Sequence, residues 1–247
     1  MGGRFKYSRN ALNSVLGSVV GHYLAFRDEN WVGAGNNRNW MPIAWFGNLD
    51  AYLASPRRIV TVGLNPSQRE FPVNELPRFD KDVLTSFRRA KKTADIDLAA
   101  YRKTLCRYFE TNPYCPWFGR FNKVLFALGA SYGSDKCSSC ALHIDLMTPL
   151  PTDRWSQLST RQRREVSDCT IFHSLIAVLK PDLAIFVPGK THLEAAGFNV
   201  TPFMGSVSIV ANTGAKLALQ RSQNYMPCFN EQDIKNIISF TKKIFNH

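Results

Sequence analysis

No apolar run in this sequence of 247 residues reaches the roughly 18 that a membrane-spanning helix needs. The moderately apolar stretch 11–26 is interrupted by Asn13, Ser14, Ser18, Gly21 and His22, which makes a poor signal-peptide core. Met1-Gly2 opens as a myristoylation signal does, but Lys6 stands where Ser or Thr is required. The expected location is the cytosol, with no membrane partner, and there the six cysteines stay reduced. The sequence also lacks low-complexity tracts, blocks of like charge and repeats of solenoid period, which argues against disordered and stacked-repeat architectures. A His-x-Glu followed by Pro-Cys-x-x-Cys, the pairing that marks zinc deaminases, does not occur.

What is present is a chain that is 45% hydrophobic and 12% aromatic, enough for one sizeable core. Lys and Arg total 31 against 19 acids, a net charge of +12. That excess points to a polyanionic partner, because each cation set against a phosphate releases counterions. Nucleic acid fits better than anionic membrane, since no segment joins a strong apolar face to a Lys-rich one. Arg88-Arg89, Lys91-Lys92, Arg102-Lys103 and the arginines of 161–164 form basic clusters, each of which a solvated helix face would also explain.

Four β-branched runs punctuate the chain, at 58–62, 141–147, 183–187 and 207–210, each ended by Gly, Pro or Asn. Helical patterns separate them. The clearest begins after Ser159-Thr160 and runs to about Lys180, with Val166, Cys169, Phe172, Ile176 and Leu179 on one face. Others are expected at 11–26, 49–53, 81–92, 96–110, 118–128, 191–196 and 231–245. Alternating strands and helices predict an α/β fold: a single three-layer α/β/α domain over 43–247 with a short, mainly parallel four-stranded sheet. Residues 1–42 form an N-terminal helical extension packed on it. Ligands in such sheets bind beyond the carboxyl ends of the strands.

The first strand runs into Gly63-Leu64-Asn65-Pro66-Ser67. Gly63 permits a sharp turn, and Pro66 holds Asn65 extended, so an amide is presented rigidly at the sheet's mouth. This loop lacks the second Gly with Lys and Ser/Thr of a phosphate-cradling loop, and an ordinary turn would look the same. A strand ending Val-Gly-Leu-Asn-Pro-Ser resembles the first motif of the uracil-DNA glycosylase superfamily, nearest to its mismatch-specific and single-strand-selective branches. Lys180-Pro181-Asp182 through Pro188-Gly189 looks like the family's third-strand segment.

The resemblance implies a monofunctional DNA glycosylase that flips a base out of DNA and hydrolyses its N-glycosidic bond, without a cofactor, as a monomer. Asn65 would orient the attacking water, and Gly63 and Leu64 would border the base. Phe79, or else Phe71, would stack on it, with core packing as the other reading for either. Asp145 and His143 occupy the second-strand position that reads the base, where Asn is usual. A carboxylate only accepts, so it suits a cytosine-type amine rather than uracil; pairing with Arg154 is the plain alternative. Asn212-Thr213-Gly214 stands where His-Pro-Ser is usual, making Asn212 the second catalytic candidate. Lys216, Leu217 and Arg221 would then supply a phosphate clamp and wedge, with Ser67 and Lys190 as further DNA contacts.

Cys137-x-x-Cys140 with Cys106 and Cys115 has metal-ligand spacing, but this chemistry requires no metal. His22 and His173 read as structural, and so does His192, though it lies just past Pro188-Gly189 at the rim. Two departures from the uracil pattern, and room left by Ser67, Gly189 and Gly214, point to a modified cytosine such as that of some phage genomes, hence to antiviral defence. Uracil or mismatch repair, a hydrolase of free nucleotides, and a non-catalytic nucleic-acid-binding protein on the same fold are the alternatives.

Overall fold

The computed structural model describes residues 8–33, 39–72, 75–133, 137–204, 207–221 and 229–245. In chain order its helices are α1 (Arg9–Phe26), α2 (Leu49–Ala54), α3 (Lys81–Arg89), α4 (Leu98–Cys106), α5 (Cys115–Phe118), α6 (Asn122–Ala127), α7 (Thr160–Val166), α8 (Cys169–Leu179), α9 (Lys190–Ala195) and α10 (Glu231–Phe245). The strands are β1 (Ile59–Gly63), β2 (Ala130–Ser131), β3 (Ser139–Asp145), β4 (Leu183–Phe186), β5 (Asn199–Met204), β6 (Val207–Ala211) and β7 (Leu217–Arg221).

Short polar side chains start the helices by accepting from otherwise unpaired backbone N–H groups. Ser8 caps α1, Asn48 caps α2, Asp80 caps α3 and Asp97 caps α4. The single helix expected over 160–180 is two. Ser167 turns extended, and Asp168 caps α8 by accepting from Thr170 N while its own N–H is held by Met147 O at 2.8 Å. A cap with a tertiary partner outcompetes continuation of the helix, although Val166, Phe172, Ile176 and Leu179 are still buried.

The fold is α/β, with one mixed sheet of seven strands, not four, in the order β2-β3-β1-β4-β7-β6-β5. The pairs β2–β3, β3–β1, β1–β4 and β4–β7 are parallel, whereas β6 lies antiparallel to both β7 and β5. The three unforeseen strands carry weak local signals. β2 has two residues, β5 contains Pro202 at a sheet edge where no ladder donor is needed, and β7 follows a turn that reads as a loop. Every residue of β1 and β4 is buried, as befits central strands covered on both faces. Leu12, Leu16, Val19 and Val20 of α1 join the same core, and α1 packs on α8 and α4.

The parallel strands bring Gly63, Asp145 and Phe186 to one edge, and Ile59, Ala141 and Leu183 toward the other. Because β6 runs the opposite way, its far end, Asn212, lies at the lower edge with Asp182. There Asn212 (φ 66°) and Gly214 (φ 80°) make the left-handed turn that reverses the chain into β7. Among the described residues, no helix is long and apolar enough to cross a membrane.

Candidate active site

A cavity of about 680 Å³ opens at the upper edge, within the size range of ligand sites. The loop after β1 forms one wall. Pro66 O accepts from Thr152 N (3.3 Å), tying this loop to the segment that leaves β3. The Asn65 amide is fixed by its own nitrogen: Nδ2 donates to Pro66 O and to Thr152 Oγ1, both at 2.9 Å. Thr152 Oγ1 in turn donates to Asp153 O at 2.8 Å. Turning the amide over would set two carbonyl oxygens against each other, so the nitrogen faces Pro66 and Thr152 and leaves Oδ1 as the free acceptor. Asn65, Leu64 and Ser67 line the cavity.

Asp145 and His143 line it as well. Gly63 faces Asp145 across the ladder, and its role is space rather than a turn. A Cβ there would lie 2.4 Å from Asp145 Oδ1 and 2.8 Å from His143 Nε2, whereas Gly63 itself sits in regular strand. The Asp145 side chain is 3% exposed, and its Oδ2 is buried without a hydrogen-bond partner. A buried carboxylate oxygen with nothing to accept from costs free energy, and such an atom is explained by a ligand that supplies a donor. Asp145 does not pair with Arg154. His143 lies beside it, with Nε2 at 3.7 Å from Oδ1.

His143 is oriented from behind. Tyr132 OH and Thr61 Oγ1 are 2.5 Å apart, and Thr61 Oγ1 lies 2.8 Å from His143 Nδ1. Thr61 Oγ1 also lies 3.4 Å from Leu142 O, so one threonine hydroxyl joins Tyr132, the β3 backbone and the imidazole and fixes the ring's orientation, with Nε2 turned toward Asp145. Phe46, Trp117, Phe118 and Phe121 surround the ring, with centroids 5.2–6.1 Å away.

Glu70, which sequence reading passed over, also lines the cavity. Ser67 caps the turn Gln68–Glu70 by accepting from Arg69 N, and the turn swings Glu70 inward to 3% exposure. Its Oε2 accepts from Tyr108 OH at 2.5 Å, and Tyr108 OH accepts from Tyr114 N at 2.8 Å. Burial pushes Glu70 up to about 8, against the pull of Tyr108 and Arg78, and the nearby Asp145 adds to the rise. Arg78 Nε is 3.8 Å from Oε2, too far for a hydrogen bond. Its N–H groups go to Arg69 O, Asn112 O and Glu75, so the guanidinium does not restore the ionised form.

Several expected residues lie elsewhere. Phe71 and Phe79 are core: they stack on each other at 5.3 Å, and Phe79 packs on Tyr108, so they support Glu70 from behind instead of meeting a base. The aromatics that reach the cavity are Phe46, Tyr114, Trp117, Phe118 and Trp155. The Pro-bounded aromatic stretch 113–118 was a usable signal for Trp117, while Phe46 owes its place to a bridge with His143, which no local pattern announces. Asn212, Gly214 and Lys216 sit at the opposite edge. Lys216 pairs with Asp182 at 2.5 Å, and Leu217 is buried in β7, so they make neither second motif nor clamp nor wedge. A Cβ on Gly214 would meet Ile176, not the cavity. Lys190 starts α9 at the upper edge but outside the cavity, paired with Glu194, and Arg221 ends β7 at that edge. His192 does line the cavity; burial and then Arg163 hold it below the usual histidine range.

The rim carries Arg69, Arg120, Arg154 and Arg163. Among the described residues, no three or more His, Cys, Asp or Glu side chains come together as metal ligands. Burial raises Cys106, and pushes Cys140 up to about 11, which disfavours the thiolate that a metal would need. Cys115 and Cys137 are free.

No protein-family model matches the sequence, and no curated protein matches it.

Proposed function

We propose that the protein is a monofunctional DNA glycosylase acting on a flipped base that bears an exocyclic amine, a modified cytosine above all. The observation that carries this reading is the unpartnered Asp145 carboxylate buried in the same cavity as the fixed Asn65 amide. Asn65 Oδ1 accepts from a water and points its lone pair at the sugar carbon C1′. The C1′–N bond breaks as positive charge develops on the sugar, and the water oxygen closes on C1′. An amide is too weak a base to take the proton in the ground state, so its work is orientation.

Asp145 accepts from the base amine, and His143 beside it, in the tautomer that carries the proton on Nε2, donates to a ring acceptor. Trp117, half-buried at the cavity wall, supplies an aromatic face for stacking. The cavity has room for a substituted pyrimidine, which suits a modified base and a defence role against DNA that carries it. The four rim arginines favour DNA over a free nucleoside, since a polymer brings several phosphates to them.

Two expected results follow from this reading. Asp145→Asn exchanges an acceptor-only group for one that can also donate. Release of uracil relative to an aminopyrimidine should rise about tenfold to a hundredfold, the equivalent of about 1–3 kcal/mol for one bidentate base contact. The ratio is measured on duplexes differing only in that base, scored as alkali-labile sites, and an unchanged ratio would remove Asp145 as the reader. Affinity for a short duplex should also fall steeply with salt, with a slope near that of three or four phosphate contacts, about −2.7 to −3.6 in log K against log salt. A flat salt response, with hydrolysis of free nucleosides, would instead favour a nucleoside hydrolase.

A further inference from the structure

Glu70 is the one buried acid of the cavity to which that mechanism gives no task. Its Oε2 is engaged by Tyr108, and among the described residues no group hydrogen-bonds Oε1, although the side chain lines the cavity. The turn at the lower edge, formed by Asn212 and Gly214, cannot bring a donor to a departing base. In that mechanism His143 and Asp145 already hold the base, and burial keeps His192 below the usual histidine range. Glu70 is the remaining buried carboxyl of the cavity from which a departing base anion can take a proton.

We propose that Glu70, in its acid form, is the general acid that protonates the leaving base. The assignment rests on the glycosylase reading. In the step, the C1′–N bond breaks with its electron pair staying on the base, whose ring nitrogen or carbonyl oxygen takes the Glu70 proton. The water oxygen bonds to C1′ and loses a proton to solvent, and Glu70 carboxylate regains one from solvent. The products are the neutral base and an abasic site. General acid catalysis of this kind contributes about 10²–10⁴-fold.

The groups that face Glu70 set when it is an acid. Tyr108 OH and the Arg78 guanidinium favour the carboxylate, while burial and the Asp145 charge favour the acid and prevail. Tyr114, hydrogen-bonded through its N–H to Tyr108 and lying under Arg78, completes that wall. With a titration near 8, the acid form predominates at neutral pH and is lost as pH rises through that value.

The test measures single-turnover release of 5-hydroxymethylcytosine and of 5-formylcytosine from DNA by wild type, Glu70→Gln and Tyr108→Phe. Gln keeps the shape and cannot give up a proton. Glu70→Gln should release 5-hydroxymethylcytosine at least about a hundredfold more slowly. Its loss on 5-formylcytosine should be smaller, because the formyl group stabilises the leaving anion. The wild-type rate should fall above about pH 8, Glu70→Gln should lack that limb, and Tyr108→Phe should move it to higher pH by removing a donor to the carboxylate. Equal rates for wild type and Glu70→Gln, or equal losses on both bases with the alkaline limb retained, would overturn the assignment. Release of neither base by the wild type would defeat the glycosylase reading itself, and the assignment with it.

Discussion

Asn65→Ala is expected to lower base release by at least about a hundredfold while DNA affinity stays nearly unchanged, the scale of losing one preorganised polar group. The side chain owes its value to what holds it. Pro66 O and Thr152 Oγ1 take both amide hydrogens, and Thr152 is itself anchored on Asp153 O, so Oδ1 is held as an acceptor that can take a water at no further cost in ordering. Alanine removes the acceptor and leaves the loop tied through Thr152 N and Pro66 O. Single-turnover kinetics and a DNA-binding isotherm on the folded variant separate the two effects. Full turnover with normal binding would sink the water-orienting mechanism.

The second large effect is expected at Gly63. Gly63→Ala introduces a methyl group 2.4 Å from Asp145 Oδ1 and 2.8 Å from His143 Nε2, inside contact distance for both. Neither neighbour can step aside cheaply: Asp145 is walled in by the sheet, and His143 is pinned by Thr61 and ringed by Phe46, Trp117, Phe118 and Phe121. Overpacking of this kind costs about 1–3 kcal/mol, and the same displacement pulls Asp145 and His143 out of register with Asn65. Urea denaturation should show a lower midpoint with an unchanged slope, and base release should fall at least tenfold, the price of a misplacement on the order of 1 Å. Stability and turnover both equal to wild type would mean that the strand has slack which the packing does not suggest.

Much of the site was legible because it is local. Gly63 to Ser67 announced itself by the sequence Gly-Leu-Asn-Pro-Ser, and the β-branched runs before Asn65 and up to Asp145 placed both at the carboxyl ends of strands. Central parallel strands are continuous apolar runs, so β1, β3 and β4 were readable from composition alone. Glu70 was not readable, because an acid in a short polar turn looks like surface until Phe71, Phe79 and Tyr108 are known to close behind it.

The errors share one cause. Asn212-Thr213-Gly214 has the residues of a functional loop, and only strand direction decides which edge it reaches. The intrinsic pattern of β6 is the same whether it runs parallel or antiparallel, because side-chain alternation does not encode direction. Phe71 and Phe79 have the chemistry of base-stacking residues, but burial is a property of what packs on them. The sequence by itself determined the α/β class, the charge and the presentation of Asn65. Tertiary structure alone decided that Glu70 and Phe46 join Asn65, Asp145 and His143 at one cavity, since neither the turn nor the loop segment that carries them announces it. The physical reason is that a cavity is made by long-range packing, whereas sequence patterns report only what each segment does on its own.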